Sequence, residues 1–137
     1  MANRPVHIIM PVWSDPRFAE KQAAIARGAS AAGFPVRFPE YSVENPEFDA
    51  DNYERQLRSS SAVLADLTGE RPSCYFEIGF AEGMGRSIHI IAEAGTDIHQ
   101  SAYRHRARYY SNMAELEQLV FEILASELTL SQKAAQG

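Results

Sequence analysis

Short apolar runs alternating with stretches of helix formers constrain this chain more than any other feature. Val6-His7-Ile8-Ile9-Met10 is a nearly continuous apolar run of strand length, the pattern of a strand buried on both faces. Val36-Arg37-Phe38, Ala62-Val63-Leu64-Ala65 and Ser87 to Ala92 repeat the signal, and Arg108-Tyr109-Tyr110 is a shorter fifth instance. Between them lie a stretch rich in Ala, Glu, Lys and Gln from Phe18 to Ala32, a second helix over 52–60 and a third over 74–84. A final amphipathic helix follows from Met113 to Leu128, with Leu116, Leu119, Val120, Ile123 and Leu124 at helical spacing, a stripe that serves as core or as a dimer face. Strands alternating with helices predict a three-layer α/β fold, flavodoxin-like or Rossmann-like. It has a mostly parallel five-stranded sheet in the order 2-1-3-4-5 and helices on both faces. The expected organisation is one domain over 1–130 and a frayed tail over 131–137.

Local punctuation supports this reading. Pro11 ends the first strand, and Ser14 or Asp15 is available to cap the helix that follows. Gly33 and Gly85 stand where helices close, and Asp49 or Asp51 can cap the second helix. The segment from Pro39 to Phe48 carries two prolines, an asparagine and several charges, and reads as a long loop. Thr96 to Arg106 reads as irregular and polar.

The 137 residues carry a formal net charge of −5, which argues against a grip on nucleic acid or an anionic membrane. His99, Tyr103, Arg104, His105, Arg106 and Arg108 form a local basic and aromatic cluster, read as a solvated or subunit-facing surface. The single cysteine, Cys74, rules out an intrachain disulfide and a cysteine-based zinc motif. No histidine pair has zinc-helix spacing and no glycine-rich phosphate loop appears, so no metal ligand is assigned. The run Val6 to Val12 is too short to span a membrane and lacks the flanks of a signal peptide, so a cytoplasmic protein is expected.

In a sheet of this order the ligand crevice opens at the carboxyl ends of strands one and three, between Pro11–Asp15 and Asp66–Ser73. Asp66 ends the third strand, and a turn-rich loop with Thr68 and Gly69 leads to Ser73. Glu77 lies about one turn into the next helix, where the macrodipole favours its ionised form. It stands four residues after Ser73, so the pair does not make a capping box. Ser73 offers a hydroxyl beside free helix amides, ready for a phosphate. Trp13, after the first strand, and Tyr41, in the long loop, are candidates to stack on a base. His7 reads as a satisfied core histidine.

The stretch Ala65-Asp66-Leu67-Thr68-Gly69, then Pro72-Ser73-Cys74-Tyr75-Phe76-Glu77-Ile78-Gly79-Phe80-Ala81, then Gly83-Met84-Gly85-Arg86, resembles the nucleoside 2-deoxyribosyltransferase superfamily, which includes nucleoside 5′-monophosphate N-glycosidases. The resemblance implies that Glu77 is a nucleophile that attacks the anomeric carbon and displaces the base, with Asp66 as a second catalytic group. It also implies that Ser73, Thr68 and Gly69 hold a phosphate or a sugar hydroxyl. A supporting aspartate of the family falls at Asn52 or Tyr53, beside Asp51 and Glu54, and a tyrosine that touches the nucleophile has only His7 or Trp13 in its place. The expected substrate is a small nucleoside or nucleotide, with no cofactor, in a homodimer or larger homo-oligomer. The alternatives are a non-catalytic nucleotide-binding or signalling module and an NAD glycohydrolase.

Overall fold

The computed structural model describes residues 3–39 and 48–136, without the side chains at 131, 135 and 136. Five strands, β1 (Val6–Ile9), β2 (Val36–Arg37), β3 (Ala62–Asp66), β4 (Ile88–Glu93) and β5 (Arg108–Tyr110), form one sheet. Their order is β2-β1-β3-β4-β5 and every pairing is parallel. The centre is in tight register, with Ile8 opposite Leu64 and Ala65 opposite Ile90. The helices are α1 (Phe18–Ala31), α2 (Ala50–Arg58), α3 (Pro72–Gly83), α4 (Ser101–Arg106) and α5 (Met113–Gln136). The three-layer flavodoxin-like architecture expected from the alternation is the one observed.

Alternation along each strand divides the interior into two cores. Val6, Ile8, Ala62, Leu64 and Ile91 pack with Ala24, Ile25, Leu116, Val120, Ile123 and Leu124, beneath α1 and α5. Ile9, Val63, Ala65, Ile88, Ile90 and Ala92 pack with Tyr53, Leu57, Cys74, Ile78 and Ala81, beneath α2 and α3. The stripe on α5 is therefore core. Helices α1 and α5 come close at Gly28, where an added Cβ would stand 2.4 Å from the Glu117 carbonyl oxygen.

Element boundaries moved where local chemistry outweighed propensity. α3 begins at Pro72, not Cys74, because proline is pre-set for the first helical position. Arg71 before it is extended at φ −126 and ψ 155, as a residue preceding proline prefers. Ser73 is thus inside the helix and is not its cap. Arg17, not Ser14 or Asp15, is the residue before α1, though the Asp15 carboxylate accepts from the Arg17 amide at 2.9 Å. Asp49, not Asp51, caps α2 by accepting from the Asn52 amide at 3.0 Å. Part of the segment expected to be irregular is the short helix α4, and α5 continues well past Leu128. Tyr41 and most of the expected long loop lie outside the described residues.

Because all strands are parallel, each crossover helix runs back against them and starts at the carboxyl edge of the sheet. That edge collects the first turns of α1, α2, α3 and α5.

Candidate functional site

Two polar constellations sit at this edge, one on each face of the sheet. The first lies between α2 and α3. Glu77 on α3 is half-buried and hydrogen-bonds the Tyr53 hydroxyl from α2. The Tyr53 hydroxyl also meets Nε2 of His7, from β1, at 3.2 Å. A phenol has one proton. If it donates to Glu77, it accepts from Nε2–H of a neutral His7, which leaves Nδ1 a bare lone pair. Nδ1 is buried and has no partner among the described residues, and burial, with a smaller push from the Arg37 guanidinium, lowers the His7 pKa to about 4. Burial raises the Glu77 carboxyl above its ordinary range, against the opposing bond from Tyr53. The dipole-stabilised, readily ionised glutamate expected from position alone is thus overridden by desolvation.

Aromatic rings cluster between these two helices. Phe48, just before α2, meets Phe76 of α3 edge to face at 5.1 Å and lies 5.2 Å from the Tyr53 ring. Tyr53 in turn meets Phe80 at 5.4 Å. Phe76 and Phe48 remain 57% and 47% exposed, so the cluster presents apolar ring surface to solvent. Trp13, on the loop after β1, is 78% exposed at the same edge.

The second constellation is closed. Asp66 is 1% exposed, and its two oxygens accept from the Thr68 amide at 2.9 Å and the Tyr110 hydroxyl at 2.6 Å. Burial raises its carboxyl, with Tyr110, Thr68 and Lys21 pulling the other way. The Thr68 hydroxyl accepts from the Glu93 amide at 2.8 Å. Gly69, at φ +65, lets the loop turn against the Ser14 backbone, and the Ser14 hydroxyl donates to the Gly69 carbonyl at 2.6 Å. Lys21 is fully buried and paired with Asp15 and, at 3.3 Å, with Glu93, which also meets Arg17.

The site residues expected from the sequence therefore separate. Asp66, Thr68 and Gly69 bind the loops to one another, and nothing places the buried Asp66 carboxylate on a ligand. Ser73, Asp51 and Asn52 are exposed on the first turns of their helices, and it is Tyr53 that reaches Glu77. The Cys74 amide, expected to be open to an anion, donates to the Arg71 carbonyl at 2.9 Å. Lys21, Glu93 and Tyr110 were not anticipated. Lys21 did carry a signal: it shares one helical face with Ala24, Ile25 and Gly28, all buried.

Among the described residues no group of three or more His, Cys, Asp or Glu side chains is placed to hold a metal ion, and no helix is long and apolar enough to cross a membrane. A separate cavity of about 160 Å³ lies against Ile88, His89, Arg106, Arg108 and Ser126, away from both constellations. Its guanidinium groups already meet Glu82 and Glu122.

No protein-family model matches the chain and no curated protein matches it. Solved structures do. A diflavin flavoprotein A3 structure from Nostoc sp. matches with a TM-score of 0.60 at 11% identity, over 99% of this chain and 99% of that one. The metal-soaked Flv1 flavodiiron core from Synechocystis sp. PCC6803 matches with a TM-score of 0.63 at 12% identity, over 97% of this chain and 37% of that one. At such identities the likeness shows the fold.

These findings correct the nucleoside 2-deoxyribosyltransferase resemblance and the function drawn from it. The whole chain superimposes on flavoprotein domains, and N-glycosidic cleavage, deoxyribosyl transfer, NAD cleavage and a nucleotide-signalling role are withdrawn. The physical reason lies in the window that carried the resemblance. Asp66, Thr68, Gly69 and Pro72 serve the strand–turn–helix unit at the centre of the sheet: carboxylate on loop amide, hydroxyl on the neighbouring strand, positive-φ turn, proline at the helix start. The same residues satisfy the fold without any glycosidic chemistry.

Proposed function

We propose that this chain is a flavodoxin-like ring-binding domain with a redox role, taking an isoalloxazine of the flavin class at the carboxyl edge of its sheet. The observation that carries the reading is the aromatic cluster between α2 and α3, with partly exposed Phe48 and Phe76 on the side of the Tyr53–Glu77 pair. The two flavoproteins that share the fold lend it support, as does the general rule that ligands of such sheets bind beyond the strand ends.

The residues present fit the ring portion of a flavin. Phe76 and Phe48 offer apolar ring area, worth ~0.5–1.5 kcal/mol per aromatic contact beyond burial, and Trp13 is a further plate on the neighbouring loop. A bound flavin supplies one- or two-electron redox chemistry. The chain supplies the surroundings: rings that exclude water, and a Glu77 carboxyl that burial pushes above its ordinary range. Tyr53 fixes the orientation of that carboxyl and His7 fixes Tyr53. Asp66, Thr68 and Gly69 act on this reading by holding the loops.

Titrating riboflavin with purified protein, followed by flavin fluorescence and visible difference spectra, tests the proposal. Saturable quenching that weakens at least fivefold in Phe76→Ala is expected. An unchanged spectrum at ~100 µM folded protein, a concentration that would register Kd values up to the millimolar range, overturns it.

A further inference from the structure

We infer that the amino edge of the sheet carries an anion site, in which the guanidinium groups of Arg4, Arg37 and Arg86 take a small dianion of the phosphate class. It lies at the opposite end of the strands from the proposed ring site and does not depend on it.

Helix α2 runs back from the carboxyl edge and ends at Arg58. Its last carbonyls have no helical amides to bond and need donors from elsewhere. Three arginines from separate parts of the chain supply them. Arg4, ahead of β1, donates to the Arg58 carbonyl at 3.3 Å. Arg37, at the end of β2, donates to the Gln56 carbonyl at 2.9 Å and to the Ser60 hydroxyl at 3.3 Å. Arg86, ahead of β4, donates to the Ser60 carbonyl. Arg37 and Arg86 thus meet on two oxygens of one residue. The backbone beside Arg4 is pinned to the same turn, since the Ser61 amide donates to the Pro5 carbonyl at 2.9 Å.

Capping a helix end explains these hydrogen bonds but not the charge. Six of the thirteen Lys and Arg side chains meet a carboxylate. Arg4, Arg37 and Arg86 meet none among the described residues. Arg55, in the last turn of α2, adds a further cation without a carboxylate, whereas Arg58 is matched by Glu54 at 2.6 Å. The surplus is felt inside the protein, where the Arg37 charge helps burial to lower His7. Arg86 Nε is buried with no partner among the described residues, so the chain holds this guanidinium in place at a desolvation cost it does not repay. A chain of net charge −5 has carboxylates to spare, yet it places none against these three groups.

The balance of charge selects the ligand. A helix C-terminus offers only about half a negative charge, which leaves roughly 2.5 positive charges on the three arginines. A phosphate ester at neutral pH carries ~1.5–2 negative charges and three acceptor oxygens, nearer to that surplus than a carboxylate is. Guanidinium forks match such oxygens in pairs, and the bonds to α2 hold the three forks in position beforehand.

Calorimetric titration of the full chain with pyrophosphate and with inorganic phosphate, at low constant ionic strength and neutral pH, tests the site. Saturable binding with a Kd of a few millimolar or tighter is expected, ~5 mM at the weakest. It should weaken at least fivefold in Arg4→Gln and in Arg37→Gln, and stay within twofold in Arg27→Gln, which removes a paired arginine on α1. Arg4 is exposed and touches α2 through one bond, so Arg4→Gln reads the site even if Arg37→Gln does not fold. No saturable binding of either probe up to ~20 mM overturns the inference. Binding that Arg4→Gln leaves unchanged also overturns it, by placing the anion elsewhere. A loss matched by Arg27→Gln does the same, because it means diffuse screening and no site. Single-stranded DNA of about ten nucleotides bound tenfold or more tightly than pyrophosphate would reassign these arginines to a nucleic-acid track and refute the small-anion assignment.

Discussion

Lowering the pH should unfold this protein through His7, by an amount the structure sets. The His7 ring is 4% exposed and its pKa falls from the ordinary 6.5 to about 4, mainly by burial. Between those values the unfolded chain binds a proton that the folded chain refuses. Stability is therefore fully present above the unfolded value and is lost as pH falls toward the folded one. Integrated over the window, the loss approaches ~3 kcal/mol, of which somewhat under half is gone at pH 5.5 and most at pH 4.5. Asp66 and Glu77 act with the opposite sign, because their folded carboxyls are raised and gain protons on acidification. The raw stability curve mixes the three. Comparing wild type with His7→Phe at each pH isolates the imidazole, since both carboxyls remain in each protein. Urea unfolding at pH 7.5, 6.5, 5.5 and 4.5 should show wild type losing ~2–3 kcal/mol relative to the variant across the series. A difference constant to within ~0.5 kcal/mol would mean that His7 titrates alike folded and unfolded, and the buried, half-satisfied imidazole described here would be wrong.

Three further outcomes follow from packing and charge. Gly28→Ala gains ~1 kcal/mol of helix propensity, but its Cβ would stand 2.4 Å from the Glu117 carbonyl. Overpacking should win by ~1–3 kcal/mol, lowering the thermal midpoint by several degrees; a rise would refute the close approach of α1 and α5. Tyr110→Phe removes the 2.6 Å donor to Asp66 at a cost of ~1–3 kcal/mol at neutral pH. That bond favours the charged carboxyl, so the cost should fade as pH falls through the raised range of Asp66, and a pH-independent loss in urea midpoints would contradict it. Lys21→Met leaves Asp15 buried without its cation and should cost ~3–5 kcal/mol. Adding Asp15→Asn should restore part of that, and strict additivity in the double-mutant cycle would refute the pairing.

The sheet order was legible because apolar runs of strand length leave little choice once they alternate with helices. Arg108-Tyr109-Tyr110 was recognisable as an edge strand despite its three residues. The stripe on α5 was recognisable as apolar, though only packing against α1 could make it core. The polar constellations were less legible. Lys21 and Glu93 lie on α1 and at the end of β4, far apart in sequence, and only the sheet order brings them together. Tyr53 reads as one more aromatic in a charged helix; its partners His7 and Glu77 lie 46 residues before it and on the next helix. The window around Asp66 misled for a physical reason. A strand-end carboxylate, a hydroxyl, a glycine turn and a helix start are the parts of a binding loop and also of a well-satisfied structural one. Residue types do not tell these apart; the hydrogen-bond partners of Asp66 do.

Glu77 gives the most direct way to separate a working group from a packing one. Its carboxyl is already raised by burial and is held by Tyr53. A ring laid against the aromatic cluster would strip more water from it and raise it further, so binding must take up a fraction of a proton. By linkage, affinity for riboflavin should then rise as pH falls through the Glu77 range. The neighbours facing the cluster do not imitate this. Tyr53 is pushed far above neutrality by burial and by Glu77, burial raises the Cys74 thiol, and His7 is lowered to about 4. Glu77→Gln fixes the group in a form resembling the protonated carboxyl. Its affinity at neutral pH should equal or exceed that of wild type, and the pH slope should vanish. A slope that survives in Glu77→Gln assigns the proton elsewhere. A variant that loses affinity tenfold at all pH values shows that the ionised carboxylate itself contacts the ligand.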